Sequence, residues 1–253
     1  MRANTKAWHS DQRAEFGEGF AIYPSHNLHM LLFAASMDGQ GAIATQAGKD
    51  YAKLTGDTMY QVLTLVRFGR FDEIAAVTAR PSNEVTAGMW DFAQGYAKLR
   101  LDEPDFARVY LDRVRHAAVN SPATFRGHSA EHLLGTVEGI LEGEILRAEG
   151  DLASAITAFE RAVSLEDRLV YDEPEPLPFA ARHWLGAALL KAERFADAER
   201  VYREELDDHP HNGWSLFGLK QALAAQGRTS AEVDADFESS WARSDAWIRA
   251  SRF

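Results

Sequence analysis

The sequence predicts an all-α fold in which pairs of helices stack side by side as a solenoid. Three observations lead there. Residues 179–212, FAARHWLGAALLKAERFADAERVYREELDDHPHN, read as two amphipathic helices separated by a tight turn at Glu193 and Arg194 and closed by Pro210. A small or apolar residue of the second helix recurs along the chain at Ala44, Ile74, Ala107, Ala155 and Ala198, with Glu232 as a degenerate sixth. The intervals are 30, 33, 48, 43 and 34 residues, so three sit near a 34-residue period and two carry insertions. A single helical pair cannot bury both of its faces, which makes neighbouring pairs a requirement.

The elements follow in order. Residues 1–19 precede the first full pair, and Arg2 to Phe16 have the pattern of a second helix lacking its first. Pro24 marks a turn and Ser25 an N-cap, after which Leu28, Leu31, Leu32 and Ala35 supply an apolar stripe. The next pair runs from Asp57 to Thr78, with Gly69 at its turn and Phe71 behind it. Val85 to Val114 form a pair broken at Asp102 to Pro104. Residues 116–127 are polar and turn-rich, the first insertion. His132 to Glu166 form another pair. Residues 167–178 are the second insertion, where Pro174, Pro176 and Pro178 forbid a continuous helix. Gly213 to Arg228 open a last pair within the span 20–228, and residues 231–253, with Val233, Phe237, Trp241 and Trp247, are expected to form one capping helix.

The pattern in residues 179–212 resembles the tetratricopeptide repeat. Leu185, Gly186, Phe195, Ala198, Tyr202, Leu206, Pro210 and Asn212 match its signature positions, while Arg182, Glu193 and Glu205 stand where that family has an aromatic residue, Gly and Ala. Gly143, Gly150, Ala155, Phe159 and Ala162 match it as well. Residues 23–39 and 171–190 look like segments of the C-terminal repeats of large bacterial tetratricopeptide (TPR) proteins. The resemblance implies one TPR-like α-solenoid over residues 1–253, with about five to six helix-turn-helix pairs and a C-terminal capping helix.

Composition removes several function classes. Hydrophobic residues make up 46% and charged residues 26% of the chain, enough for a continuous core. The formal charge of -11 disfavours nucleic acid, because phosphate binding needs clustered Lys and Arg. There is no cysteine, hence no disulfide framework or thiolate metal site, which fits a reducing cytoplasm. No apolar run reaches the length of a membrane span. Phosphate-loop, dinucleotide and nucleophile-elbow motifs are absent.

In the TPR family the first helix of each pair lines a concave face. That resemblance implies a lining of His26, His29, Met59, Arg67, Phe92, Tyr96, Arg100, Glu144, Arg147, His183, Trp214 and Phe217. Imidazole, guanidinium and aromatic groups together suit a peptide, a partner protein or a small anion, held by forked hydrogen bonds and stacking. Ordinary partly buried polar residues would give the same list.

The first expectation is therefore a non-catalytic binding module without a cofactor. On that expectation, replacing Arg67, Arg100 or Trp214 with Ala weakens binding and leaves thermal stability almost unchanged. The alternative is a metal-dependent enzyme with a divalent transition metal on His26 and His29, which share a helical face, completed by Glu173 and His183. Against it, one histidine can cap the helix start and the other pack beneath the preceding loop. His128, Glu131 and His132 spell H-x-x-E-H, but a solvated first turn explains them better than a zinc site on an α/β scaffold. Self-association through the first helix or the Trp-bearing tail is a further expectation.

Overall fold

A computed structural model describes residues 2–13 and 24–253. Helix α1 covers Arg2–Arg13, α2 Pro24–Met37, α3 Gly41–Thr55, α4 Met59–Arg67, α5 Phe71–Ala76, α6 Glu84–Arg100 and α7 Pro104–Asn120. Strands β1 (Thr124–Phe125) and β2 (His128–Ser129) form a small antiparallel hairpin. Then come α8 (Ala130–Ala148), α9 (Leu152–Glu166), α10 (Arg182–Lys191), α11 (Phe195–Asp208), α12 (Gly213–Ala225) and α13 (Ala231–Trp241). The expected leading helix ends at Arg13 among these residues, and its stretch 14–16 lies outside them. No helix of the described residues is long and apolar enough to cross a membrane.

Successive helices pack against one another, and the even-numbered ones also meet: α2 with α4, α4 with α6, α6 with α8, and α10 with α12. This makes a solenoid-like all-α architecture with an inner layer. Helices α6 and α8 are buried over most of their length, as expected of helices with neighbours on several sides.

The turns between α2 and α3, α4 and α5, α6 and α7, α8 and α9, α10 and α11, and α12 and α13 share one geometry. Each has a left-handed residue, in order Gly39, Gly69, Asp102, Gly150, Glu193 and Gly227. Each also has the six-to-one bond of a Schellman cap, for example Gln40 N–H to Ala35 O (2.9 Å) and Arg194 N–H to Leu189 O (2.9 Å). These residues carry the same spacing as the recurrent small residue, which follows each of them by five positions. Ala44, Ile74, Ala107, Ala155 and Ala198 are all buried. Glu232 is exposed, and its neighbour Val233 takes the buried place instead. Asp102 and Glu193 adopt a backbone that L side chains disfavour by roughly 1–2 kcal/mol, so the pair geometry overrides the missing glycine.

The array does not stay open. The last helices return to the first: Trp214 Nε1 donates to Ser36 O (2.8 Å), Ser244 Oγ to Gly39 O (2.9 Å), and Arg243 pairs with Asp38 (3.2 Å). Asp245 accepts from Gly41 N (2.6 Å) and Ala42 N (3.0 Å), capping the first turn of α3 with a negative charge. A side chain at Gly39 would collide with Trp241 and Ser244, and one at Gly213 with Trp241.

Two segment boundaries differ from expectation and one agrees. Helix α7 continues to Asn120, so residues 116–120 of the first insertion are helical and only the hairpin region interrupts. The second insertion is non-helical, as its prolines require. The expected capping helix over 231–253 stops at Trp241. Beyond it the bonds of Ser244 and Asp245 to the α2–α3 turn replace helical ones, and Trp247 is 79% exposed instead of covering the last face.

Trp214 is fully buried, in edge contact with Trp241 (4.9 Å between centroids) and Phe253 (5.4 Å). Trp214→Ala therefore removes core and loosens the junction of last and first helices. Contrary to the expectation of an unchanged protein, it should cost about 3–5 kcal/mol in urea unfolding. A loss below about 0.5 kcal/mol, the range of an ordinary surface change, would contradict this packing.

Candidate functional site

The inner helices bring half of the expected lining together, around residues 251–253. Arg67, at the end of α4, is only 1% exposed. Its guanidinium lies 3.5 Å from the centre of the Trp214 ring, reaches His183 Nδ1 with Nη1 (3.1 Å), and donates from Nη2 to Ser251 O (3.0 Å). Burial lowers its pKa well below the ordinary value, while Glu205 opposes that. His183 begins α10. Burial, then the Arg67 and His209 charges, push its pKa well down, and Asn212 Nδ2 sits 3.0 Å from its Nε2. A neutral imidazole beside a guanidinium avoids a second buried positive charge.

Tyr96 on α6 donates its hydroxyl to Phe253 O and receives the indole N–H of Trp184 (3.2 Å). Burial and Glu144 raise the phenol's pKa to about 12, so it remains a donor. Glu144, wholly buried on α8, is gripped in two places by Arg147 (3.1 and 2.8 Å) and faces Arg252 at 3.3 Å. Ser251 is fully buried: its Oγ donates to His183 O (2.6 Å) and lies 2.8 Å from the Tyr202 hydroxyl. Phe253 rests on Trp214 and against Gly69, where a side chain would collide with it.

Other lining candidates stand apart. Phe92 packs between Tyr96 and Phe179 as core (6.1 and 6.2 Å). Arg100 is exposed, its guanidinium 5.3 Å above Phe71, outside the cluster. Met59 is buried and Phe217 meets Phe237 of α13 at 5.7 Å.

The histidines of α2 belong to a second cluster. His29 is buried with its ring 4.2 Å from Tyr60 and its Nδ1 3.4 Å from the Tyr60 hydroxyl. Burial first, then Arg126, hold its pKa down at about 3, with Asp172 opposing; His26 adds a small repulsion. Arg126 from the hairpin turn makes a two-armed ion pair with Asp172 of the proline-rich segment and also donates to Glu173 O (3.0 Å). His128 Nε2 lies 3.4 Å from Asp172. Further along that segment Glu175 reaches His209 (3.3 Å), and Glu205 its other nitrogen (3.0 Å). Burial works against the His209 charge, but these two carboxylates outweigh it and hold the pKa up at about 10.

Three of the four residues considered as metal ligands are engaged with other partners. His29 pairs with Tyr60, His183 with Arg67 and Asn212, and Glu173 offers its carbonyl to Arg126. Among the described residues no group of three or more His, Asp or Glu is placed to hold a metal ion. His128 sits on β2, ahead of the helix that carries Glu131 and His132, so the H-x-x-E-H spacing does not form one helical face.

Sequence reasoning missed Tyr202, Glu205 and residues 251–253. Tyr202 was legible only as a repeat-signature residue; its hydroxyl function depends on the returning tail. No protein-family model matches the chain, and no curated protein matches it significantly.

His29 gives a pH prediction. A histidine whose folded pKa is depressed to about 3 is neutral in the fold and charges readily when unfolded. Its contribution is fully present above the ordinary value of 6.5 and is lost as pH falls from there toward 3. Unfolding free energy should decline over that window with a slope approaching about 1.4 kcal/mol per pH unit, and His29→Gln should flatten the decline. Identical acid limbs for the two proteins would contradict the assignment.

Proposed function

We propose that this chain is a helical-repeat module of the TPR type, with α2–α13 as its helix-turn-helix pairs, and that it binds an extended polypeptide segment. One observation carries the reading. The inner-face polar groups converge on a strip of non-helical chain and hold it by its main chain as well as its side chains: Arg67 to Ser251 O and Tyr96 to Phe253 O. Main-chain hydrogen bonds supply affinity for any extended segment, and pockets between them supply selectivity. The overall negative charge suits basic segments, since an acidic surface draws them in. The absence of cysteine agrees with a cytoplasmic setting.

A chain in which residues 249–253 are replaced by Gly and Ser should bind a fluorescent, C-terminally amidated octapeptide of residues 246–253 at 1:1 stoichiometry, read by anisotropy. Arg67→Met in that background should weaken binding by about tenfold or more, the effect of one charge-assisted hydrogen bond. A variant that melts cooperatively and captures no peptide contradicts the proposal.

A further inference from the structure

Resting on that reading, we propose that residues 251–253 occupy the groove as an internal stand-in, and that the partner they exclude carries a small hydroxyl residue, a basic residue and an aromatic residue in succession.

Each position has its own receptor. The first must be small, because Ser251 is wholly enclosed, and must carry a hydroxyl to satisfy Tyr202 and the His183 carbonyl together. The second meets Glu144, a buried carboxylate paired from the helices by Arg147. Arg252 approaches it at 3.3 Å with two of its nitrogens. A basic residue is selected there because an acidic one would bring like charges together in a dry site. The third fits an edge-on aromatic slot between Trp214 and Gly69, whose left-handed backbone and lack of Cβ leave the room.

The stand-in is built to be exchanged. Residues 246–250, which lead into the groove, alternate between exposed and half-buried, and only Ser251 is fully enclosed. A cleft of about 400 Å³ opens beside them, bordered by Gly41, Phe68, Arg70, Asp245, Trp247 and Phe253. The tail is anchored at its base by Arg243 and Asp245, contacts that lie outside the groove and survive when residues 249–253 leave. It also fits imperfectly: the buried Nε of Arg67 has no acceptor. A partner segment that supplies one would displace the tail, because an unmet buried donor is costly.

The test uses the full chain and the amidated octapeptide of residues 246–253. Arg252→Glu places a carboxylate against Glu144 and should expel the tail. That variant should bind the octapeptide at least about tenfold more tightly than the unaltered chain, whose groove is already filled. Ser251→Leu, which overfills the enclosed position, provides a second route should the first variant fold poorly. Octapeptides with Ser251→Leu, Arg252→Glu or Phe253→Ala should each bind the expelled-tail variant about tenfold less well than the parent peptide.

Equal affinity of the unaltered chain and both variants would overturn internal competition while leaving peptide binding intact. Equal affinity for all four peptides would overturn the three-residue code. No capture by either variant, with melting still cooperative, would overturn peptide binding itself, and this inference with it.

Discussion

A guanidinium buried in the middle of a helical stack cannot be left unpartnered, and Arg67 is that guanidinium. Desolvating a cation costs several kcal/mol unless stacking and hydrogen bonds replace water. Its partners come from distant parts of the sequence: the Trp214 ring, the His183 imidazole and the Ser251 carbonyl. No open, gently curved array brings all three to the end of α4. The stack has to curl until α12 reaches α2, and the chain after α13 has to turn back inside.

That requirement explains why polar residues of the inner face are buried without being ordinary core. Glu144 is neutralised by Arg147 and Arg252, Tyr96 keeps its proton and donates, and Glu205 spans His209 and Asn212. Each group is satisfied chiefly by another member of the network, so removing one leaves its neighbours exposed to the full cost of an unmet polar group. The second cluster works similarly on the histidine side. The Arg126 and Asp172 pair ties the hairpin to the proline-rich segment, so the two insertions cover His29 and Tyr60 together.

Much of the fold was legible because helical pairs repeat a local geometry. A left-handed turn residue followed five positions later by a buried Ala or Ile recurs in five of the pairs, including those where Asp102 and Glu193 replace glycine. Curvature was not legible. It accumulates from small packing rotations between pairs, and no single residue encodes whether a stack closes. Hence Arg67, Tyr96, Glu144, Arg147, His183 and Trp214, expected along a concave lining, are instead drawn into the interior around the returning chain. The tail failed for a different reason: residues 242–253 continue an amphipathic pattern through Trp247, and long-range contacts such as those of Ser244, Asp245 and Ser251 overrule it. On α2, the ring of His29 lies against Tyr60 and within the field of the Arg126 charge.

Hydrogen exchange followed by mass spectrometry tests the central claim most directly. If Arg67 holds the returning chain, backbone amides of residues 249–253 exchange far more slowly than those of an unstructured peptide, and Arg67→Met accelerates them selectively while the amides of α6 and α8 stay protected. Tail amides exchanging at the unstructured rate in the unaltered protein would contradict the account.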